Sequence, residues 1–184
     1  RRQRQMCIRD RYYKKAEATA AAIDADGWFH TGDAGYFKNG QLFLTERIKD
    51  LFKTSNGKYI APQAIEIEMG SDKYIEQIAV IGDQRKFVSA LIVPAYALLE
   101  EYAEKKGIAY SSREELLASN EIIRLIESHI EEHQKNMASY EKIKRFTLLP
   151  QPFTMEGREL TDTLKLRRPV VCLLYTSDAA DEAR

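Results

Sequence analysis

The sequence predicts an α+β fold, in which a small mixed β-sheet with flanking helices follows a β-hairpin. The hydrophobic pattern alternates between the period of two residues of a strand and the period of about 3.6 residues of an amphipathic helix. The resulting order is strands, helix, strands, helices and strand. An Asn-Gly pair divides the first two strands, and glycine or proline stands at several predicted helix ends. This order is typical of a small mixed sheet with helices packed against it.

Composition argues against a nucleic-acid-binding protein and against a membrane-spanning one. The chain has 184 residues, of which 44% are hydrophobic and 30% charged, and it carries no formal net charge. A neutral chain gives no reason to expect nucleic acid as a partner. The longest apolar stretch, SALIVPAYALL, is too short to cross a bilayer and contains a proline. We therefore expect no transmembrane segment.

The two ends of the chain do not share this pattern. Residues 1–11 carry five arginines without helical or strand periodicity, and residues 172–184 follow an ordered basic segment abruptly. Both strings resemble translated read-through of sequencing adapters, so we expect neither to belong to the folded body. Cys7 and Cys172 lie in these ends, so no disulfide and no cysteine-ligated metal is expected. A basic targeting arm at the amino end is the alternative.

The first two strands form the best-defined local element. Asn39 and Gly40 tolerate the positive φ angles of a type I′ turn, which favours a two-residue hairpin loop. With that loop, Asp33 faces Glu46, and Arg47 lies one step beyond. Facing carboxylates repel each other, so Arg47 is expected to neutralise them. The alternative is a surface ion pair that closes an ordinary hairpin.

Local signals predict the other elements. Residues 12–23 are rich in alanine and favour a helix. Pro62 opens a helix that ends at Gly70, because the first helical turn does not need the N–H that proline lacks. Asn120 is the expected N-cap of a longer helix. The remaining predicted elements are the strand–turn–strand unit LFKT-SNG-KYIAP, the strands EQIAVIGD and VSALIVPA, the helix YALLEEYAEKKG and the strand KRFTLLP.

The longer helix has one apolar face and a pair of histidines. Its face consists of Ile122, Ile126, Ile130, His133 and Met137 at helical spacing. His129 and His133 are four residues apart, which is a spacing that can bind a metal. A working zinc site needs three or four ligands, and the sequence offers no third one nearby. We therefore expect no metal and a partly solvated helix face.

The polar motifs resemble one family when they are read together. GWFHTGDAGYF, GQLFLTERIKDLFKTSNGKYIAP and ELTDTLKLRR resemble the carboxyl-terminal third of adenylate-forming acyl-CoA synthetases, in particular long-chain fatty-acid–CoA ligases. The resemblance covers roughly residues 12–171. It implies that residues 12–46 end a large nucleotide- and acyl-binding domain and that residues 47–171 form a mobile small domain. The implied reaction converts a carboxylate and ATP into an acyl-adenylate, and then forms a thioester with CoA and releases AMP.

The same resemblance implies roles for individual residues. Asp33 would accept hydrogen bonds from the ribose hydroxyls of ATP or AMP, and Arg47 would donate to the same ribose. Lys49 would lie at the hinge of the small domain. Lys165 would enter the ATP site during adenylation and act there as the catalytic residue.

Residues Lys53 and Gly57 would line the channel through which the CoA thiol arrives. The sequence departs from the family pattern at Glu46, where aspartate is common, and at Asn56, where a second glycine is common. Asparagine tolerates the left-handed conformation better than most residues.

The implied substrates and cofactors are a fatty acid, ATP or AMP, CoA and Mg²⁺, with the magnesium ligand in a preceding domain. The segment by itself is expected to be inactive. The expected location is the cytoplasm, with or without peripheral contact to a membrane. Two alternatives remain open. One is another adenylate-forming enzyme, such as a peptide-synthetase adenylation domain, and the other is a non-catalytic module that binds a nucleotide or CoA.

Overall fold

The computed structural model describes residues 12–173. The described residues divide into two compact units, with the division between Lys49 and Asp50. The predictions made for residues 1–11, which include Cys7, and for residues 174–184 lie outside the described residues. Within residues 12–173, no helix combines the length and the apolar character that a bilayer-spanning segment needs.

The first unit consists of a helix and the predicted hairpin. Helix α1 spans Ala16–Ala22, strand β1 spans Asp33–Lys38 and strand β2 spans Gln41–Arg47. Asn39 and Gly40 have φ angles of 53° and 75°, which confirms the type I′ turn. Beside the turn, the rings of Tyr36 and Phe43 stack with centroids 5.4 Å apart.

A β-bulge changes the register towards the open end of the hairpin. Gly35 pairs with Leu44, but Ala34 pairs with Glu46, so Thr45 is the extra residue of β2. The predicted pairing of Asp33 with Glu46 is therefore wrong, because Asp33 pairs with Arg47. A Cβ atom on Gly35 would lie 2.5 Å from the Phe43 carbonyl oxygen. The bulge brings the two backbones so close that only glycine fits there.

The second unit contains a three-stranded mixed sheet. Strands β5 (Ile75–Ile81) and β6 (Val88–Pro94) are antiparallel, and β7 (Ile143–Leu148) pairs with β6 in parallel. The sheet order is β5-β6-β7, which confirms the predicted mixed sheet. A separate two-stranded sheet joins β3 (Phe52–Lys53) to β4 (Tyr59–Ile60).

Four helices of the second unit pack together on one face of the sheet. Their bounds are Pro62–Met69 (α2), Tyr96–Lys106 (α3), Arg113–Ala118 (α4) and Asn120–His133 (α5). The predicted isoleucines of α5 are buried in this cluster, which also holds Val80, Ala90 and Ile92 of the sheet. Phe52 and Ile60 belong to the same cluster, so the small two-stranded sheet packs on this face too.

The opposite face is covered by the carboxyl-terminal segment. Because side chains alternate along a strand, Ala79, Ile81, Leu91 and Val93 point away from the four helices. They pack with Leu149, Phe153 and Val171 in a second cluster, which Cys172 also contacts. Residues 168–173 are helical. The carboxyl-terminal segment is therefore folded onto the sheet, and the expectation that Cys172 lies outside the folded body is wrong.

Helix α4 was missing from the sequence prediction. Its N-cap Ser112 accepts a hydrogen bond from the Glu115 N–H over 3.2 Å, and Glu115 Oε2 accepts one from the Ser111 N–H over 2.7 Å. The sequence Ser112-Arg113-Glu114-Glu115 is a capping-box signal that could have revealed this helix. The predicted N-cap Asn120 is corrected by one residue, because Ser119 takes the capping position of α5.

Candidate functional site

Asp33 and Arg47 lie side by side at the open end of the hairpin. Arg47 Nε is 3.3 Å from Asp33 Oδ1, and the two side chains are 69% and 28% exposed. The register is fixed by the Ile48 N–H, which donates to the Gly32 carbonyl over 2.8 Å. The hairpin thus presents an acceptor and a donor next to each other near the surface.

Lys49 lies at the junction of the two units. It is exposed and belongs to a single turn of 3₁₀-helix, Ile48–Asp50, that directly follows β2. The division of the chain into units falls between Lys49 and Asp50.

Residues 54–58 form a tight loop between β3 and β4. The Thr54 N–H donates to the Lys58 carbonyl, and the Gly57 N–H donates to the Thr54 carbonyl, each over 2.9 Å. Gly57 has a φ angle of +79°, which disfavours any side chain at this position. Asn56 has no positive φ angle, so its tolerance of the left-handed conformation is not used. The ammonium of Lys53 lies 5.6 Å from the centroid of the Tyr59 ring.

A basic cleft adjoins this loop. Its volume is about 260 Å³, and four lysine side chains line it together with polar and aromatic groups. The lining residues are Thr54, Asn56, Lys58, Lys86, Phe87, Ser139, Tyr140, Lys142 and Lys144. The clustering of four ammonium groups without a carboxylate in the lining favours an anionic ligand.

Lys165 lies in a second loop, on the other face of the sheet. Leu160 and Leu166 form an isolated antiparallel bridge and pack against the second cluster. Between them the Thr161 N–H donates to the Lys165 carbonyl over 2.8 Å, and the Lys165 N–H donates to Thr161 Oγ1 over 3.1 Å. The backbone of this loop is therefore anchored, while the Lys165 side chain is exposed.

The predicted site residues of the second unit do not come together. Lys53 directly follows Phe52, which packs into the cluster on the face of the four helices, and Gly57 lies in the loop after Lys53. The Lys165 loop rests on the cluster of the opposite face.

A buried acidic group that the sequence did not predict joins the two histidines of α5. Asp72 is 4% exposed, and its Oδ2 lies 2.6 Å from His129 Nδ1 and 3.2 Å from His133 Nε2. Asp72 Oδ1 accepts a hydrogen bond from the Tyr74 N–H over 2.8 Å. Burial raises the pKa of the Asp72 carboxyl, but the hydrogen bonds from Tyr74 and His129 outweigh it and leave the pKa below its ordinary value.

These histidines hold the helix in place and show no metal-site geometry. In the described part of the chain, no group of three or more histidine, cysteine, aspartate or glutamate side chains could hold a metal ion. Both imidazoles are about a quarter exposed, as expected for a partly solvated face, and both are also hydrogen bonded to Asp72.

Comparisons with known proteins agree with this architecture. The sequence model of the AMP-binding enzyme C-terminal domain matches residues 49–180. Long-chain-fatty-acid–CoA ligase 5 of Mus musculus is 37% identical over 164 residues, which cover 85% of this chain and 23% of that protein. The peroxisomal long chain acyl-CoA synthetase 7 of Arabidopsis thaliana is 32% identical over 162 residues, which cover 86% of this chain and 23% of that protein.

A solved structure with the same fold is the adenylation domain of a carboxylate reductase from Mycobacterium chelonae. It is 28% identical with a TM-score of 0.75, and the match covers 94% of this chain and 25% of that one. The chain thus spans about a quarter of the length of these relatives. The family match and the fold agree with the resemblance seen in the motifs, and the chain belongs to the AMP-binding enzyme C-terminal domain family.

Proposed function

We propose that the chain is the carboxyl-terminal part of an ATP-dependent long-chain fatty-acid–CoA ligase. Residues 12–46 would end the large domain, and residues 47–171 would form the small one. In the first half-reaction a carboxylate oxygen attacks the α-phosphorus of ATP, and pyrophosphate leaves. In the second, the CoA thiol attacks the acyl carbonyl carbon, and AMP leaves. The names of the curated relatives support this substrate class.

One observation carries the proposal, namely the placement of two anchored loops on opposite faces of one small sheet. The Lys165 loop packs on one face, and the loop of residues 54–58 adjoins the other. A two-step reaction can use each loop in turn if the small domain presents one face for adenylation and the other for thioester formation. Lys49, at the junction of the two compact units, is the proposed hinge.

In the first step Lys165 would supply positive charge. As pyrophosphate leaves, negative charge shifts between the α-phosphate and the attacking carboxylate. A fixed ammonium aimed at that region stabilises the transition state more than the ground state. Lysine suits this role because it is a compact point charge on a long flexible stem.

In the second step the loop of residues 54–58 would guide CoA. Lys53 and Gly57 would line the path of the thiol, and the positive φ angle of Gly57 supports a backbone without a side chain beside that path. The basic cleft next to the loop would bind the phosphates of CoA, because its four lysines offer the complementary charge.

Asp33 and Arg47 would bind the ribose of ATP and AMP. A diol needs both an acceptor and a donor, and the hairpin holds the carboxylate and the guanidinium 3.3 Å apart. Arg47 compensates the charge of Asp33 when no nucleotide is bound.

Magnesium is proposed to accompany ATP, with its protein ligands outside residues 12–173, because these residues provide no suitable cluster. We also propose a cytoplasmic enzyme that touches membranes peripherally, since its acyl substrates partition into bilayers. Flotation of the full-length enzyme with lipid vesicles tests this location, and recovery only in the unbound fraction contradicts it.

The decisive experiment measures the two half-reactions separately in the full-length enzyme that carries this segment. Lys165→Ala is expected to slow acyl-adenylate formation by about 10²–10³-fold, the usual cost of losing one such group. Thioester formation from pre-made acyl-adenylate should be nearly unchanged. Lys105→Ala, which removes an exposed lysine from α3, is the control and should alter neither step. Equal loss in both steps, or in neither, removes Lys165 from the active site.

Another adenylate-forming activity is the second candidate. The solved structures with this fold include adenylation domains of carboxylate reductases, one of them described with a PCP domain attached. Such an enzyme would transfer its acyl group to a carrier protein. Release of AMP that depends on free CoA supports the ligase, and release that depends on a phosphopantetheinylated carrier supports the alternative.

A further inference from the structure

Two side chains close the outer edge of strand β5. Val80 pairs with Ala90 on its inner side. On its outer side, the Val80 N–H donates to Glu66 Oε1 over 2.7 Å, and the Val80 carbonyl accepts a hydrogen bond from the Arg168 guanidinium. We call Glu66, Val80 and Arg168 the edge clamp. It satisfies both backbone groups of an edge strand at this residue.

The two side chains of the edge clamp are also bound to each other. Arg168 Nη1 lies 2.6 Å from Glu66 Oε1, and Nη2 lies 3.0 Å from Oε2. This is the bidentate pairing that a planar guanidinium makes with a carboxylate. The side chains are only 18% and 15% exposed, so solvent competes weakly for them. Arg168 thereby crosses the sheet edge from the face of the Lys165 loop to helix α2.

The edge clamp fixes the backbone directly after Lys165. Arg168 is the third residue beyond Lys165 and the first of the helical residues 168–173. One residue earlier, the Arg167 N–H donates to the Glu159 carbonyl over 2.7 Å. Within residues 12–173 the Lys165 ammonium itself forms no hydrogen bond and no ion pair. The structure therefore anchors Lys165 only through its backbone.

We propose that the edge clamp positions Lys165 for acyl-adenylate formation and that Arg168 is a positioning residue of this enzyme. The proposal rests on the proposed function, in which Lys165 acts in the first half-reaction. Arg168 touches no reacting atom in this scheme. It acts through the backbone that carries Lys165, which would shift if the edge clamp were lost. A displacement of about 1 Å at a reacting group can lower a rate by up to about 100-fold.

The test combines Arg168→Gln with Lys165→Ala in the full-length enzyme. Arg168→Gln alone is expected to lower kcat for acyl-adenylate formation by about 10–100-fold with little change in the KM for ATP. Thioester formation from pre-made acyl-adenylate should be unchanged. In the Lys165→Ala background, Arg168→Gln should cause no further loss, since the guanidinium then has no ammonium to position.

Two further variants separate positioning from folding. Arg168→Lys keeps the positive charge but loses the planar guanidinium that pairs with both Glu66 carboxylate oxygens. It should restore part of the rate of acyl-adenylate formation that Arg168→Gln loses. Arg167→Gln removes the neighbouring exposed guanidinium and should leave both half-reactions unchanged. If Arg168→Gln does not fold, the same comparison is made with Arg168→Lys, whose smaller loss must likewise vanish in the Lys165→Ala background.

The outcomes distinguish this proposal from the proposed function. If Lys165→Ala slows adenylation but the Arg168 variants do not, the positioning role is wrong and the function stands. If the Arg168 variants slow both half-reactions, or slow the Lys165→Ala enzyme further, their effect is structural and the positioning role is also wrong. If Lys165→Ala leaves adenylation unchanged, Lys165 has no role in the active site of the proposed enzyme, and the positioning role falls with it.

Discussion

Replacement of Asp72 by asparagine tests whether the buried carboxylate holds helix α5 to the turn before β5. Asparagine keeps the shape of the side chain, and its Oδ1 can still accept the hydrogen bond from the Tyr74 N–H. An amide nitrogen then faces His129 and His133 in place of the carboxylate oxygen. The variant therefore loses two charge-assisted hydrogen bonds and keeps one.

The structure sets the expected magnitude. A hydrogen bond to a charged group contributes about 1.5–3 kcal/mol. The contact to His129 is short, at 2.6 Å, while the contact to His133 is longer, at 3.2 Å, and both rings are about a quarter exposed. We expect Asp72→Asn to lower the free energy of unfolding by about 2–4 kcal/mol near neutral pH.

The same substitution also predicts in which direction the loss of stability changes with pH. The pKa of Asp72 in the folded chain lies below its ordinary value of 3.8. A carboxyl whose pKa is lower in the folded chain than in the unfolded chain stabilises the fold. This stabilisation is complete when the pH lies above the pKa of the unfolded chain, and it is lost as the pH falls through the pKa of the folded chain. The difference in free energy of unfolding between the wild-type chain and Asp72→Asn should therefore reach its full size at about pH 5 and be smaller at about pH 3.

Urea unfolding of the 184-residue chain, followed by far-UV circular dichroism, measures this difference. Asp162→Asn, which changes an exposed aspartate in the Lys165 loop, is the matched control and should change stability by no more than about 0.5 kcal/mol. If Asp72→Asn behaves like this control, or if its effect is equal at the two pH values, the reasoning about the carboxylate is refuted.

The remaining predictions concern the nucleotide, the hinge and the core. In the full-length enzyme, Asp33→Ala should weaken ATP binding by about 1.5–3 kcal/mol without changing fatty-acid binding, and unaltered ATP affinity in calorimetry contradicts the ribose role. Lys49→Pro fixes φ at the proposed hinge, so one half-reaction should survive and the other fail; equal loss of both in stopped-flow assays argues against a hinge there. Ile126→Ala should lower the unfolding free energy by about 2–5 kcal/mol, because its side chain is fully buried. Ile123→Ala, on the exposed side of the same helix, should cost much less, and similar costs would show that the assigned core face is incorrect.

The local elements of this protein were readable from its sequence because their causes lie within a few residues. The Asn39-Gly40 turn adopts the two positive φ angles that its residue types allow. Pro62 stands at the start of α2, and Gly107 takes the left-handed conformation that ends α3. The order of the motifs was sufficient to indicate the family that the match over residues 49–180 then showed.

Helix α4 was missed although its capping box is a local signal, but the other failures came from a contact between distant residues or an irregularity without a periodic signal. The bulge at Thr45 moved Asp33 from Glu46 to Arg47, and a strict period of two residues cannot reveal an inserted residue. The sequence did not reveal Asp72 as the hydrogen-bond partner of the two histidines, because Asp72 lies 57 residues away from His129.

The sequence by itself determined the Asn39-Gly40 turn, the start of α2, the end of α3, the apolar face of α5 and the motifs that carry the family resemblance. Tertiary structure alone decided that the Lys165 loop and the loop of residues 54–58 lie on opposite faces of the sheet. It also decided that Arg168 is held by Glu66, a residue 102 positions earlier in the chain. The physical reason is that local patterns reflect the φ and ψ preferences and burial of neighbouring residues, whereas these pairings depend on which distant segments the packed core brings together.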